Sequence, residues 1–171
     1  MDTLTKIITL LNSLEIKYTL SEHAPVTTSE EAAHVRGTHT GTGAKAMVIK
    51  TGQPPNLSLS PYYLLVLPGN KKIDWKKIKI LLNTKNVSLV SEEELTAVTG
   101  IERGGVPPFG NVLNLKTIFD TGIEKIGAIN FNAGSRTHTI SMDSKDLVKA
   151  VSPELIANIT KEAIPGSRTN C

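Results

Sequence analysis

Leu4, Ile7, Ile8, Leu11 and Leu14 recur at helical spacing, which predicts an amphipathic helix over residues 3–14. Ile16-Lys17-Tyr18-Thr19-Leu20 alternates, the signature of a strand, and Pro25 ends it. Thr28-Ser29-Glu30-Glu31 has capping-box spacing and Gly37 supplies a C-terminal stop, so a short helix is expected over 29–36. Residues 45–51 and 62–67 are apolar runs rich in β-branched and aromatic residues, expected as buried strands. The stretch between them, GQPPNLSLSP, reads as a loop or broken hairpin turn. Asp74 is placed to cap a helix carrying Trp75, Ile78, Leu81 and Leu82 that ends near Asn83. Residues 87–90 read as a strand, and Ser91-Glu92-Glu93-Glu94 opens a capped helix that Gly100 closes. GIERGGVPPFGN is expected to be irregular. Residues 126–131 and 137–142 read as two strands joined through NAGSR. Two helices are expected over 144–150 and 153–163, the second with Pro153 in its first turn, and residues 164–171 as a disordered tail. Interleaved helices and short strands without repeats imply one α/β (α+β) domain with a mixed sheet and flanking helices.

The 171 residues suffice for one sizeable core, and 39% hydrophobic with 20% charged residues describe an ordinary globule. Aromatics are only 4%, which speaks against a row of exposed rings for stacking bases. A net charge of +3 permits a phosphate-bearing partner without requiring one. Lys71, Lys72, Lys76, Lys77 and Lys79 cluster, either as the solvated face of a helix or as a surface for a nucleic-acid backbone. One cysteine, Cys171, excludes a disulfide framework and a multi-cysteine zinc site. His23, His34, His39 and His138 lack metal-ligand spacing, so no metal or cofactor is expected. No apolar leader and no run of 18 apolar residues occur, and a cytoplasmic protein without membrane contact is expected.

No nucleophile elbow, Walker loop or dinucleotide fingerprint is present; Gly41-Thr42-Gly43 precedes an expected strand rather than a helix. Hydrolysis by this chain would therefore proceed without a protein nucleophile. In RGTHTGTGAKAMVIKTG, Lys45 stands at the mouth of an apolar run, either as a solvated residue or as a cation for a negatively charged ligand. In Gly104-Gly105-Val106-Pro107-Pro108-Phe109-Gly110, glycines allow close approach to the main chain and prolines stiffen it. That segment is either a tight turn or a rigid loop presenting backbone groups to a substrate. Asn130-Phe131-Asn132-Ala133-Gly134-Ser135 has the composition of a hairpin turn.

The order of these features resembles the YbaK family: a capped helix, G-x-G-A-K-A at 41–46, GGVPPFG at 104–110, Phe119-Asp120, INFNAG at 129–134 and an Asp146-Leu147 helix. This is the synthetase-associated editing domain that also occurs inserted in bacterial prolyl-tRNA synthetases, and the resemblance spans roughly residues 3–160. It implies an editing domain over 1–163, with a mixed, partly barrel-like sheet, that removes wrong amino acids from tRNA. The variant seen here is closer to free-standing serine- or alanine-editing homologues than to the cysteinyl deacylase. By the resemblance, Lys45 engages the phosphate or ribose of the 3′ adenosine, and Gly104, Gly105 and Pro108 position the aminoacyl group and a water, with help from the substrate's own ribose hydroxyl.

Asp120 is implied either to bind the substrate amino group or to cap the following turn. Asn132 and Gly134 are expected to shape the pocket wall, as are Thr27, Thr28, Ser29, Met47 and Phe109. Some family members carry a functional histidine after the AG turn, which makes His138 a candidate; a structural role is the other reading for it and for His34. The chemistry is consistent, because an aminoacyl ester is already activated: one oriented oxyanion donor is worth about 3–4 kcal/mol, and positioning supplies much of the rest. The expected partners are the 3′ acceptor end of aminoacyl-tRNA, bearing Ala, Ser, Cys or Thr, and an aminoacyl-tRNA synthetase. A non-catalytic tRNA- or synthetase-binding module, or a protein binding an aminoacyl-adenosine-like small molecule, are the alternatives.

Overall fold

Polar caps set the helix starts. In α1 (Thr3–Ser13) the Asp2 carboxylate accepts the Thr5 N–H at 2.7 Å, and Ile7 and Leu11 face the core fully buried. The computed structural model describes residues 1–52 and 59–163. Part of the 52–61 connection and the whole 164–171 tail thus lie outside the described residues. The chain continues through β1 (Tyr18–Glu22), α2 (Ser29–Arg36), β2 (Ala44–Thr51), β3 (Tyr62–Pro68) and β4 (Lys71–Ile73). Next come α3 (Trp75–Leu81), β5 (Val87–Leu89), α4 (Glu92–Thr99), α5 (Gly110–Leu113) and β6 (Lys116–Asp120). It closes with β7 (Ala128–Asn132), β8 (His138–Asp143), α6 (Ser144–Val151), β9 (Leu155–Ala157) and β10 (Thr160–Glu162).

The largest sheet has the order β5-β2-β3-β6-β9, antiparallel from β5 to β3 and parallel from β3 to β9. Its central pair is covered on both faces, which is why β2 and β3 read as unbroken apolar runs. Ala46, Val48, Leu64 and Val66 join one core cluster; Ile49, Leu65 and Leu67 join a second, on the alternate positions. A three-stranded sheet, β1-β8-β7, adds Ile129, Phe131, Ile140 and Met142 to the first cluster. The two sheets thus share one core, and they also meet at a parallel bridge between Gly43 and Asn130. A third sheet pairs β4 with β10. The mixed sheets do not close into a barrel.

The elements differ from the sequence expectation in several places. The 100–111 stretch, expected to be irregular, runs into the short helix α5, which Asn114 closes in the left-handed region, and β4 forms where no strand signal stands. The first strand begins two residues later than expected, because Glu15 takes a positive φ of 55° and the Ile16 N–H still bonds the Leu11 carbonyl at 3.0 Å. Residues 153–163 form no helix. Ser152 ends α6 in the left-handed region, and the Glu154 carboxylate then accepts the Thr117 N–H at 2.6 Å, laying β9 along β6. Strand β6 itself, too short and polar-flanked to show a period, runs through the centre of the sheet.

Candidate active site

Next to the bridge where the two sheets meet, α2, the start of β2, the 104–106 segment and β7 enclose an open cleft of about 360 Å³. It is lined by Ser29, Ala32, Ala33 and Arg36 from α2, His39, Thr40 and residues 43–46, and Gly104, Val106 and Asn132. Helix α2 is held in place by its caps: Thr28 accepts the Glu31 N–H at 3.1 Å, Glu31 reaches back to the Thr27 N–H at 2.9 Å, and Gly37 terminates it at φ 68°. That termination sets Arg36 at the floor of the cleft. Lys45, the second residue of β2, is 4% exposed. A cation in such a setting interacts more strongly with an arriving anion than one in bulk water.

The two glycine-rich turns interlock. The Gly134 N–H donates to the Gly105 carbonyl at 3.0 Å, and the Asn132 amide donates to the Gly104 carbonyl. A Cβ on Gly105 would lie 3.0 Å from the Ser135 Cα, and Gly104 sits at φ +89°, so this closeness requires glycine at both positions. Asn132, 4% exposed, accepts in turn from Arg36 Nη2 at 2.9 Å. Arg36 Nε donates to Thr139 Oγ1 at 3.1 Å, and that hydroxyl lies 2.6 Å from His23 Nε2. The Ala24 carbonyl, 2.8 Å from His23 Nδ1, can only accept, so in the neutral ring Nδ1 carries the proton and Nε2 accepts from Thr139. Hydrogen bonds are thus donated outward from Arg36 in two directions, through Thr139 to His23 and through Asn132 to the Gly104 carbonyl.

The structure brings Lys45, Gly104, Asn132 and Ser29 to the same cleft. Gly105 is buried just behind Gly104. Met47 lines an adjoining apolar cleft of about 380 Å³, which shares Ala46, Gly104 and Val106 with the first. Thr28 serves as a helix cap and Thr27 lines a separate cleft with Glu92 and Arg136. Pro108 is buried and Phe109 is fully buried in the core, its ring centroid 5.5 Å from that of Phe131; neither lines the cleft. Gly134 packs on Thr3 of α1 rather than on the cleft.

Asp120 also lies away from the cleft. Its carboxylate accepts from the Gly122 N–H at 2.9 Å, the Ile159 N–H at 3.0 Å and the Thr160 hydroxyl at 3.2 Å, so it both caps the following turn and ties down the β9–β10 connection. His138 bonds the Ser135 and Thr137 hydroxyls at 2.9 and 3.0 Å and stands outside the cleft, and His34 is exposed on α2. Two cleft residues had no signal strong enough to be singled out in the sequence. Arg36 looks like an ordinary basic residue in a last helical turn. His39 caps the 40–42 turn, its Nδ1 accepting the Gly41 N–H at 2.9 Å.

Among the described residues no group of three or more His, Cys, Asp or Glu is placed to hold a metal ion. None of their helices is long and apolar enough to cross a membrane. The cleft combines two cationic side chains with an anchored glycine turn, a set suited to holding an anionic or ester-bearing ligand rather than attacking it.

Residues 23–150 match the aminoacyl-tRNA editing domain. The chain is 28% identical over 152 residues to the multifunctional Ser/Thr-tRNA deacylase ProXp-y of Escherichia coli K12, covering 88% of this chain and 89% of that protein. It is 28% identical over 156 residues to the prolyl-tRNA editing protein ProX of Acetoanaerobium sticklandii, covering 88% and 92%. The crystal structure of the hypothetical protein APE2540 superposes with a TM-score of 0.78 at 21% identity, over 91% of this chain and 99% of that one, and shares its fold.

Proposed function

Because the chain belongs to the aminoacyl-tRNA editing domain family, we propose that it is a deacylase that hydrolyses the ester linking a wrong amino acid to tRNA. The observation that carries the site assignment is the meeting of Lys45, Arg36 and the Asn132-anchored Gly104 turn around one cleft. Lys45 draws in the phosphate or ribose of the 3′ adenosine as a compact point charge. The backbone of the 104–106 segment holds the aminoacyl group and a water in line. The ester is activated and its neighbouring ribose hydroxyl is at hand, so attack by water needs no protein nucleophile. The protein's contribution is then fixed geometry and preorganised charge.

Residues 1–163 are proposed as the editing unit, acting in the cytoplasm on the 3′ acceptor end, with an aminoacyl-tRNA synthetase as a second partner. The amino acids in question are Ala, Ser, Cys and Thr. The named relatives act on Ser/Thr-tRNA or edit prolyl-tRNA, which supports a small aminoacyl group. One methylene in a pocket is worth only about 1–3 kcal/mol, so discrimination among the four rests on the apolar extension beside Met47 and on the polar rim at Ser29. The test is deacylation by the purified chain of tRNAs charged with each of the four. Release from at least one is expected; release from none, with tRNA still bound, would leave a binding module.

A further inference from the structure

The lysine-rich stretch of the sequence divides in the structure into two sets. Lys71 pairs with Glu162, and Lys77 donates to Asn158 Oδ1 at 3.1 Å and to the Thr160 carbonyl at 2.8 Å, so both are tied into the β4–β10 corner. Lys76 and Lys79 lie one turn apart on the exposed side of α3, with no carboxylate partner among the described residues. Asn83, at φ 49°, then turns the chain back and brings Lys85 beside the end of that helix. Lys79 and Lys85 face each other across an open cleft of about 690 Å³ whose third cation is Lys50. The other lining residues are Thr51, Gly52, Asn86, Val87 and Ser88, and no carboxylate is among them. Lys50 is already engaged by Glu94 at 2.8 Å, which leaves Lys79 and Lys85 as the cations open to a ligand there.

We propose that this Lys79–Lys85 cleft holds the phosphate backbone of the tRNA body while the acceptor end occupies the Lys45 cleft. The proposal rests on the deacylase reading for its partner. Strand β2 carries one lysine of each cleft, Lys45 and Lys50, five residues apart and so on opposite faces of the strand. Two exposed lysines around a cleft with no carboxylate among its described lining residues suit a row of phosphates, which needs point charges and hydrogen-bond donors but no shaped pocket.

The experiment measures binding of uncharged tRNA by fluorescence anisotropy across a salt series, for the parent, for Lys79→Gln/Lys85→Gln and for a control, Lys125→Gln/Lys145→Gln. Both lysines of the test pair are exposed, and equal melting temperatures establish that the fold is intact. Losing two phosphate contacts flattens the slope of log K against log salt by about 1.8, equivalent to about 60-fold weaker binding at 0.1 M relative to 1 M salt. The control keeps the parent slope. Cleavage of an aminoacylated acceptor-end tetranucleotide, too short to reach the second cleft, stays unchanged in the test pair. Parent and test-pair slopes that coincide overturn the proposal and leave the deacylase reading standing, as does a parent that cleaves charged tRNA without any lysine-dependent binding. A parent that binds with the steep slope yet cleaves no charged tRNA removes the deacylase reading and leaves this surface in place.

Discussion

Arg36 offers the sharpest test of how the cleft is built. Its guanidinium donates to Thr139 Oγ1 at 3.1 Å and to Asn132 Oδ1 at 2.9 Å, and Asn132 in turn holds the Gly104 carbonyl. Thr139 retains His23 if the arginine is lost, but the buried Asn132 oxygen has no other donor among the described residues. Leaving one buried acceptor unpaired and losing a charge-assisted bond costs about 2–3 kcal/mol. For a chain of this length that lowers the melting temperature by about 4–12 °C. The larger effect is on turnover: a released Asn132 no longer fixes Gly104, and a misplacement on the order of 1 Å in a positioning segment costs about 10²-fold in rate. Arg36→Ala is therefore expected to lower kcat/KM for the cleaved aminoacyl-tRNA by about 10²-fold in single-turnover deacylation. Arg36→Lys keeps the charge but not the two-pronged geometry, so it should lose kcat with little change in KM. Because Arg36 and Asn132 act through the same contact, Arg36→Ala/Asn132→Ala should cost little more than either single change. Activity of Arg36→Ala within about twofold of the parent, or strict additivity of the pair, would refute this reasoning.

Two further changes separate structural roles from chemical ones. Asp120→Asn replaces one acceptor oxygen of a 4% exposed carboxylate with a donor facing an N–H; melting should fall by several degrees while kcat/KM of the folded protein holds, and a selective loss of kcat/KM would return Asp120 to the substrate. The hydrogen bonds from Lys50 and Tyr62 hold Glu94 below its ordinary 4.5, and the same bonds raise Lys50 above 10.5 and Tyr62 above 10.0. Glu94's contribution is present above pH 4.5 and fades as pH falls through its depressed value; those of Lys50 and Tyr62 are full below 10.5 and 10.0 and fade as pH rises through their raised values. Glu94→Gln should flatten both edges of a plot of melting temperature against pH, and a curve parallel to the parent's would contradict that.

Much of the fold is legible because its signals are local. Thr28, Asp74 and Ser91 announce helix starts and Gly37 and Gly100 announce ends, and each sits where its spacing implies. The 153–163 stretch misleads because Leu155, Ile156 and Ile159 satisfy helical spacing as well as that of two short strands. The decision is made elsewhere in the chain, by Asp120 catching the Ile159 N–H and by β6 needing a neighbour. Strand β6 was itself illegible for the same reason: a four-residue buried run acquires its meaning only from β3 beside it.

The site divides along similar lines. Lys45, Gly104 and Asn132 could be singled out because glycine-rich turns and a lysine at a strand mouth are unusual in composition, and they share the cleft. Phe109 and Pro108 adjoin those residues in sequence yet are buried away from the cleft, Phe109 within the core cluster. Arg36 carried no local signal. Its role exists only through Asn132 and Thr139, about a hundred residues away.

The central claim is that the Lys45 ammonium, beside the anchored Gly104 turn, is required for the ester to be held and cleaved. It is tested most directly by single-turnover deacylation with Lys45→Ala, on whichever of the Ala-, Ser-, Cys- or Thr-charged tRNAs the parent cleaves. A loss of about 10²–10³ in kcat/KM, read at sub-saturating enzyme with the melting temperature kept, is predicted for removal of one preorganised charge. An unchanged rate in that variant would contradict the account.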